Sequence, residues 1–124
     1  MTLPYTKELT LAMPVTNLDA SIEWYTGILG FELLYKLDEM GWAEVKSSVP
    51  GVNVGLSQVE DHKLGGPTPT FGVEDIAAAR ATLESKGVSF DGETMTIEGM
   101  VALATFFDPD RNSLMLFEGL NEDE

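Results

Sequence analysis

"DPDRNSLMLFEG", residues 108–119, decides how the rest of the chain is read. Asp108, Pro109, Asp110 and Asn112 make a strong turn signal, and the apolar run behind them reads as a strand. Side chains alternate between faces along a strand. Ser113, Met115 and Phe117 therefore share one side, and Leu114, Leu116 and Glu118 the other. Both faces have something to bury. A helix can cover one of them, which leaves the question of what covers Met115 and Phe117.

Working backwards from this strand, the second half of the chain offers "TPTFGV" as a strand and "EDIAAARATLESKG" as a helix. Asp75 is placed to cap that helix, Ile76, Ala79 and Leu83 form its inner face, and Gly87 ends it. The strand-like segments "VSFDGETMTI" and "MVALATFF" lead back to the closing strand. The first half runs in the same order. "TKELTLAM" alternates with Leu9, Leu11 and Met13 on one face, and "VTNLDASIEWYTGILGF" then changes to helical spacing at Leu18, Ile22, Tyr25 and Leu29. Thr16 or Asn17 caps its start and Gly30 its end. "FELLYKL", "WAEVKSS" and "GVNVGLSQV" follow as strands. Val15 and Val73 are 58 residues apart, and Gly30 and Gly87 are 57 apart. The economical reading is an α+β protein of two tandem βαβββ modules, about 6–59 and 67–118, with a linker at 60–66 and an acidic tail at 119–124. Neither sheet can bury both faces alone, so the expectation is one domain over 1–124.

Composition narrows the partners. With 124 residues and 44% apolar content the chain can build a real core. No apolar run reaches the ~18 residues of a membrane span, and the N-terminus lacks the layout of a secretion signal. A cytoplasmic protein without a membrane partner is expected. The absence of cysteine removes disulfides, thiolate nucleophiles and zinc-thiolate sites. Seven Lys and Arg against 21 Asp and Glu leave a net charge of −14, which argues against nucleic acid as a partner. Two readings of that charge stand: a solvated shell that keeps the protein soluble, or a field that attracts a cationic ligand.

"LDASIEWYTGILGFELL" resembles the helix of the vicinal oxygen chelate superfamily, with its aromatic-Tyr pair followed by Leu-Gly-Phe. "DPDRNSLMLFE" is similar to that superfamily's closing Asp-Pro-Asp-Gly-Asn turn and last strand, with Arg111 where glycine is usual. The paired layout covers nearly the whole chain. The superfamily holds glyoxalase I, extradiol dioxygenases, epimerases, fosfomycin-resistance transferases and bleomycin-resistance proteins, so fold does not give function. The resemblance implies a cup-shaped, curved sheet with the helices on its outer face. It also implies, for the metal-dependent members, His or Gln on the first strand of each module and Glu on the last. Local spacing carries those positions onto Thr10, Gly55, Thr68 and Met115, none of them a normal ligand. Glu8 offers a shifted carboxylate, and Glu44 faces the same way from the third strand. The only histidine, His62, lies in the linker. Neither a metal nor another cofactor is expected, and no catalytic residue is assigned.

Met115 and Phe117 then face the cup. So do Thr10, Ala12, Asn53, Gly55, Ser57, Thr68, Thr70 and Gly72, nearly all small or hydroxylic. Small walls with a few polar groups and soft apolar anchors describe a binding cleft; the opposing reading is a cup closed by larger neighbours. Trp42 alternates with Glu44 and Lys46, and an aromatic beside a carboxylate suits a cationic or heteroaromatic ligand, while a Trp at a strand start also packs against partner chains. The expected ligand-binding set is Glu8, Thr10, Trp42, Glu44, Asn53, Gly55, Ser57, Thr68, Thr70, Met115 and Phe117. Superfamily members that bind bleomycin-type drugs are acidic and work without a catalytic metal. The resemblance thus implies a dimeric protein that captures a small cationic or aromatic organic ligand in the cup, without a metal. The alternatives are a metal-dependent lyase, isomerase or dioxygenase with displaced ligands such as Glu8 and Glu44, and a scaffold with a filled cup.

Overall fold

The computed structural model describes residues 4, 6 and 8–120. Of the expected features, the Lys7 end of the first strand and positions 121–124 of the tail lie outside the described residues. The chain divides into two compact units, Met1–Lys63 and Leu64–Glu124. Each carries one helix on one open four-stranded sheet, and the two repeat one βαβββ order.

The first unit contains β1 (Leu9–Val15), α1 (Leu18–Gly27), β2 (Glu32–Leu37), β3 (Trp42–Lys46) and β4 (Val52–Gln58), with strand order β1-β4-β3-β2. A 3₁₀ turn, Asp38–Met40, joins β2 to β3. The first strand pairs in parallel with the last, from Leu9 opposite Val52 to Val15 opposite Gln58, and the other pairs are antiparallel. Period-two alternation decides which face the helix covers. Met13, Val15, Ala43, Val45, Val54 and Leu56 are buried on one side, against Leu18, Ser21 and Tyr25 of α1. Leu9 shares their parity but is 55% exposed at the strand's beginning.

Both ends of α1 follow from sequence. The Asn17 side chain accepts the Ala20 N–H at 3.0 Å. At the other end, Gly30 takes φ +76°, and the Phe31 N–H reaches back to the Tyr25 carbonyl at 3.1 Å. That seven-residue return, one residue wider than a Schellman motif, brings the Tyr25 and Phe31 rings to 6.3 Å and stops the helix behind a left-handed glycine. The regular helix therefore ends at Gly27, and Gly30 marks the reversal behind it.

The second unit contains β5 (Thr70–Gly72), α2 (Ile76–Ser85), β6 (Met95–Ile97), β7 (Val101–Phe107) and β8 (Ser113–Gly119), ordered β5-β8-β7-β6. Again the first strand runs parallel to the last. Ala102, Ala104, Phe106, Leu114 and Leu116 are buried on the side where α2 brings Ile76 and Leu83.

Two strands are shorter than their sequence patterns. "TPTFGV" keeps only Thr70–Gly72, so Thr68 lies ahead of β5 rather than in it. "VSFDGETMTI" keeps Met95–Ile97 and a single bridge from Phe90 to Phe106. Arg80 of α2 accounts for the second loss. Its guanidinium stacks 4.4 Å from the Phe90 ring centroid and donates to the Gly92 carbonyl and the Thr94 hydroxyl, holding residues 90–94 as a bend, with Gly92 at φ +72°.

The closing turn is built around Asp108. Its buried carboxylate accepts the backbone N–H of Asp110 at 2.9 Å and of Asn112 at 2.8 Å, and the Asn112 side-chain amide at 2.9 Å. Arg111 takes φ +65°, the glycine-like conformation that the turn demands, and its guanidinium lies 4.4 Å from the Phe107 ring centroid.

Candidate functional site

The face of the first sheet that α1 does not cover is built from the opposite parity of each strand. Registration brings Thr10 beside Asn53, Ala12 and Glu44 beside Gly55, and Trp42 beside Ser57. Glu44 is the hub. Its Oε2 accepts from Thr10 Oγ1 at 3.2 Å and from Asn53 Nδ2 at 2.9 Å, and its Oε1 accepts from the Tyr35 hydroxyl at 2.7 Å. These donors favour the charged carboxylate. Asn53 acts most strongly and Tyr35 next, with Thr10 and the Trp42 indole adding to them. Together they outweigh partial burial and hold Glu44 below the ordinary glutamic acid range. The same contact with Glu44 pushes the Tyr35 phenol above its usual value, since ionisation would cost it that donated bond.

Trp42 is seated by its neighbour. A Cβ built on Gly55 would overlap Cη2 and Cζ2 of the Trp42 ring and lie 3.2 Å from Thr10 Cγ2. Thr10, Trp42, Glu44, Asn53 and Gly55 thus form one cluster, with Ser57 beside Trp42 in register. Glu8 stands exposed ahead of β1.

Tyr35 was missed by pattern reading. Simple alternation from Glu32 turns residue 35 to the helix side. The β2–β3 register shifts between Leu33 and Tyr35, however, and this bulge moves Tyr35 and Leu37 onto the face of Glu44 and Trp42. The only trace in sequence is the unbroken apolar run Leu33-Leu34-Tyr35.

The second unit's uncovered face carries a different chemistry. Thr70, Met115 and Thr105 form one cross-strand row, and Gly72, Phe117, Leu103 and Met95 another. Phe117 is 38% exposed, and its ring lies 2.9 Å from where a Gly72 Cβ would stand. Leu103 and Thr105 belong to this face and were not among the expected residues. The Thr70 hydroxyl donates to the Thr68 carbonyl at 3.0 Å, so its proton is used within the strand's own approach.

A divalent metal does not fit these residues. Thr10, Gly55, Thr68 and Met115 offer no imidazole or carboxylate, and the space in front of Gly55 holds the Trp42 ring. Glu44, the carboxylate that shares the first unit's uncovered face, is already engaged by the neutral donors Asn53, Tyr35, Thr10 and Trp42. Among the described residues no three of His, Cys, Asp and Glu gather at one point. No helix in the described residues is long and apolar enough to cross a membrane.

Comparison with known proteins places this architecture. No curated protein matches the chain at a significant level. An integron cassette protein from the mobile metagenome of the Halifax Harbour sewage outfall superposes with a TM-score of 0.78 at 28% identity, over 90% of this chain and 97% of that one. A glyoxalase/bleomycin resistance protein/dioxygenase superfamily member from Sphaerobacter thermophilus gives 0.80 at 23% identity, over 94% and 99%. TnmS3, described as an antibiotic binding protein from a Streptomyces species, gives 0.75 at 21% identity, over 95% and 99%. Residues 9–116 match the Glyoxalase/Bleomycin resistance protein/Dioxygenase superfamily, and the chain belongs to that family.

Proposed function

We propose that this protein captures a small organic cation with aromatic character, reversibly and without a metal. Glu44 carries the reading: a carboxylate kept charged by Asn53, Tyr35 and Thr10, on an uncovered sheet face beside a tryptophan ring. A fixed anion next to an indole attracts a cation through charge and through the ring face together. Asn53, Ser57 and Thr10 surround it with polar groups, and Glu8 adds charge at the strand's approach. Taken by itself, the second unit offers Thr68, Thr70, Met115 and Phe117, hydroxyls and soft apolar side chains of the kind that suit an aromatic group. The net charge of −14 raises the local concentration of any cation. The likeness to an antibiotic binding protein is a reason to put antibiotics among the ligands tried.

The test is a thermal-shift screen of cationic aromatics and antibiotics at low and high salt, with and without chelator. Binding to the folded state alone raises stability by about 2.7 kcal/mol at a hundredfold excess over Kd. The expected result is a salt-sensitive shift that chelator leaves unchanged and that Glu44→Gln and Trp42→Ala both diminish. Shifts that require added divalent metal would transfer the function to a metal-dependent lyase, isomerase or dioxygenase.

A further inference from the structure

Four side-chain donors of this chain meet on one carboxylate. Thr10 and Asn53 donate to Oε2 of Glu44, Tyr35 donates to Oε1, and the Trp42 indole N–H turns to the same group. A carboxylate offers about four acceptor positions, so the chain itself meets the hydrogen-bonding capacity of Glu44. The charge remains. Glu44 attracts a cation across space, but a ligand N–H gains a hydrogen bond to it only by displacing Thr10, Asn53, Tyr35 or Trp42. An ammonium group that displaces none of them gives up hydration without a partner. A cation without N–H groups carries no such penalty.

The two rings beside Glu44 fit the same kind of cation. Tyr35 is the register partner of Glu44 across β2 and β3, and Trp42 stands two residues away on the same face, so both border the carboxylate. Each is tied to it by a polar edge, Tyr35 through its hydroxyl and Trp42 through its N–H. With the polar edges engaged, the ring faces are what a ligand meets, and those faces attract cations. Tyr35 is 45% exposed and Trp42 partly so, on the side of the sheet that α1 does not cover.

We propose that Tyr35 and Trp42 form a two-ring site around Glu44 for an organic cation that carries no N–H, of the quaternary ammonium class. Tyr35 thereby joins the ligand-binding residues, as a ring and as the donor that masks Oε1. The inference rests on the capture reading above and narrows its cation.

Benzyltrimethylammonium and benzylamine share a phenyl ring and one positive charge, and differ in their N–H groups. Titrations followed by tryptophan fluorescence and by NMR shifts should show the quaternary cation binding roughly fivefold tighter or more. Tyr35→Ala should weaken it roughly fivefold, the scale of a lost cation–ring contact. The added methyl groups favour the quaternary cation at any apolar surface, and Tyr35→Phe removes that ambiguity. This variant keeps the ring and bares an acceptor on Oε1. It should hold the quaternary cation within about twofold of wild type and tighten benzylamine, so that the preference falls roughly threefold or more. Tyr35 lies outside the buried core, so neither variant opens a cavity. Benzylamine binding as tightly as the quaternary cation, no loss in Tyr35→Ala, or a preference that Tyr35→Phe leaves unchanged would overturn the proposal while leaving capture intact. If neither cation gives a saturable response at about 20 mM, where fragments of this size should register, the capture reading falls and the proposal with it.

Discussion

Gln58 and Leu18 are 40 residues apart, yet the Gln58 side-chain oxygen accepts the Leu18 backbone N–H at 2.8 Å. The last strand of the first unit thus satisfies a free donor at the start of its helix. Glu118 does the same for Ile76 in the second unit, 42 residues away and also at 2.8 Å. Both acceptors sit on the helix-covered parity of their strands. An amide serves in one unit and a carboxylate in the other, so the acceptor oxygen matters more than the charge. Gln58→Ala and Glu118→Ala should each cost about 1 kcal/mol, the usual value of a lost helix cap, whereas Glu118→Gln should cost less than about 0.5 kcal/mol. Urea midpoints of the three variants check this.

Acid should weaken the Glu44 network in a calculable direction. Its pKa is lower in the folded chain than in the unfolded one, so the folded state binds fewer protons in that range. The stability it contributes is present above the ordinary glutamate range and is lost as pH falls through the folded value. The difference between wild type and Glu44→Gln should therefore hold from neutral pH down to the ordinary glutamate range and shrink only as pH falls further. Tyr35→Phe removes a donor and should move the Glu44 titration upward, visible by carbon-detected NMR of the carboxylate. For Tyr35 the sign reverses: its pKa is raised, so its contribution holds below the usual phenol range and fades as pH climbs through the folded value.

Arg111 tests the closing turn. Its φ of +65° costs an ordinary residue about 1 kcal/mol, which contact with the Phe107 ring partly offsets. Arg111→Ala keeps the strain and loses the ring contact, so it should destabilise by about 0.5–1 kcal/mol. Arg111→Gly relieves the strain but gains unfolded-state freedom, and should fall within about 0.5 kcal/mol of wild type. Thermal melts of both variants decide the matter; a large loss in the glycine variant would assign the residue a greater role than packing on Phe107.

Ser21 offers a stabilising change. It is fully buried on the sheet-facing side of α1, and its hydroxyl has no hydrogen-bond partner among the described residues. Removing an unsatisfied buried hydroxyl without opening a sizeable cavity should help. Ser21→Ala is expected to raise stability by about 1 kcal/mol, read from the denaturation midpoint. A loss of stability would mean that the hydroxyl is satisfied in solution.

The fold was legible because its signals are local and strong. Asn17 and Asp75 cap helices, Gly30 and Gly87 reverse the chain behind them, and period-two runs supply strands with a buried face. Sequence reading faltered where a long-range contact overrides a local pattern. Arg80 bends residues 90–94 that alternate like a strand, and the bulge at Leu34 turns Tyr35 to the other face. The expected residues Thr10, Trp42, Glu44, Asn53 and Gly55 do lie together in the first unit, because alternation placed them on one face. Their relations were not legible. No spacing rule says that Gly55 makes room for Trp42, or that Asn53, Tyr35, Thr10 and Trp42 all converge on Glu44.

The parallel pairing of first strand with last has a consequence for how each unit comes into being. Among the described residues β1 pairs with β4 alone and β5 with β8 alone, so each first strand waits for the last strand of its unit. A ten-residue helix such as α1 is too short to persist alone in water, and its Gln58 contact arrives with the same late strand. During synthesis, therefore, the first unit has no partly built version with a finished sheet. Its assembly is set by a long loop closure rather than by growth from the N-terminus, which favours slow, all-or-none folding of each half as its last strand leaves the ribosome.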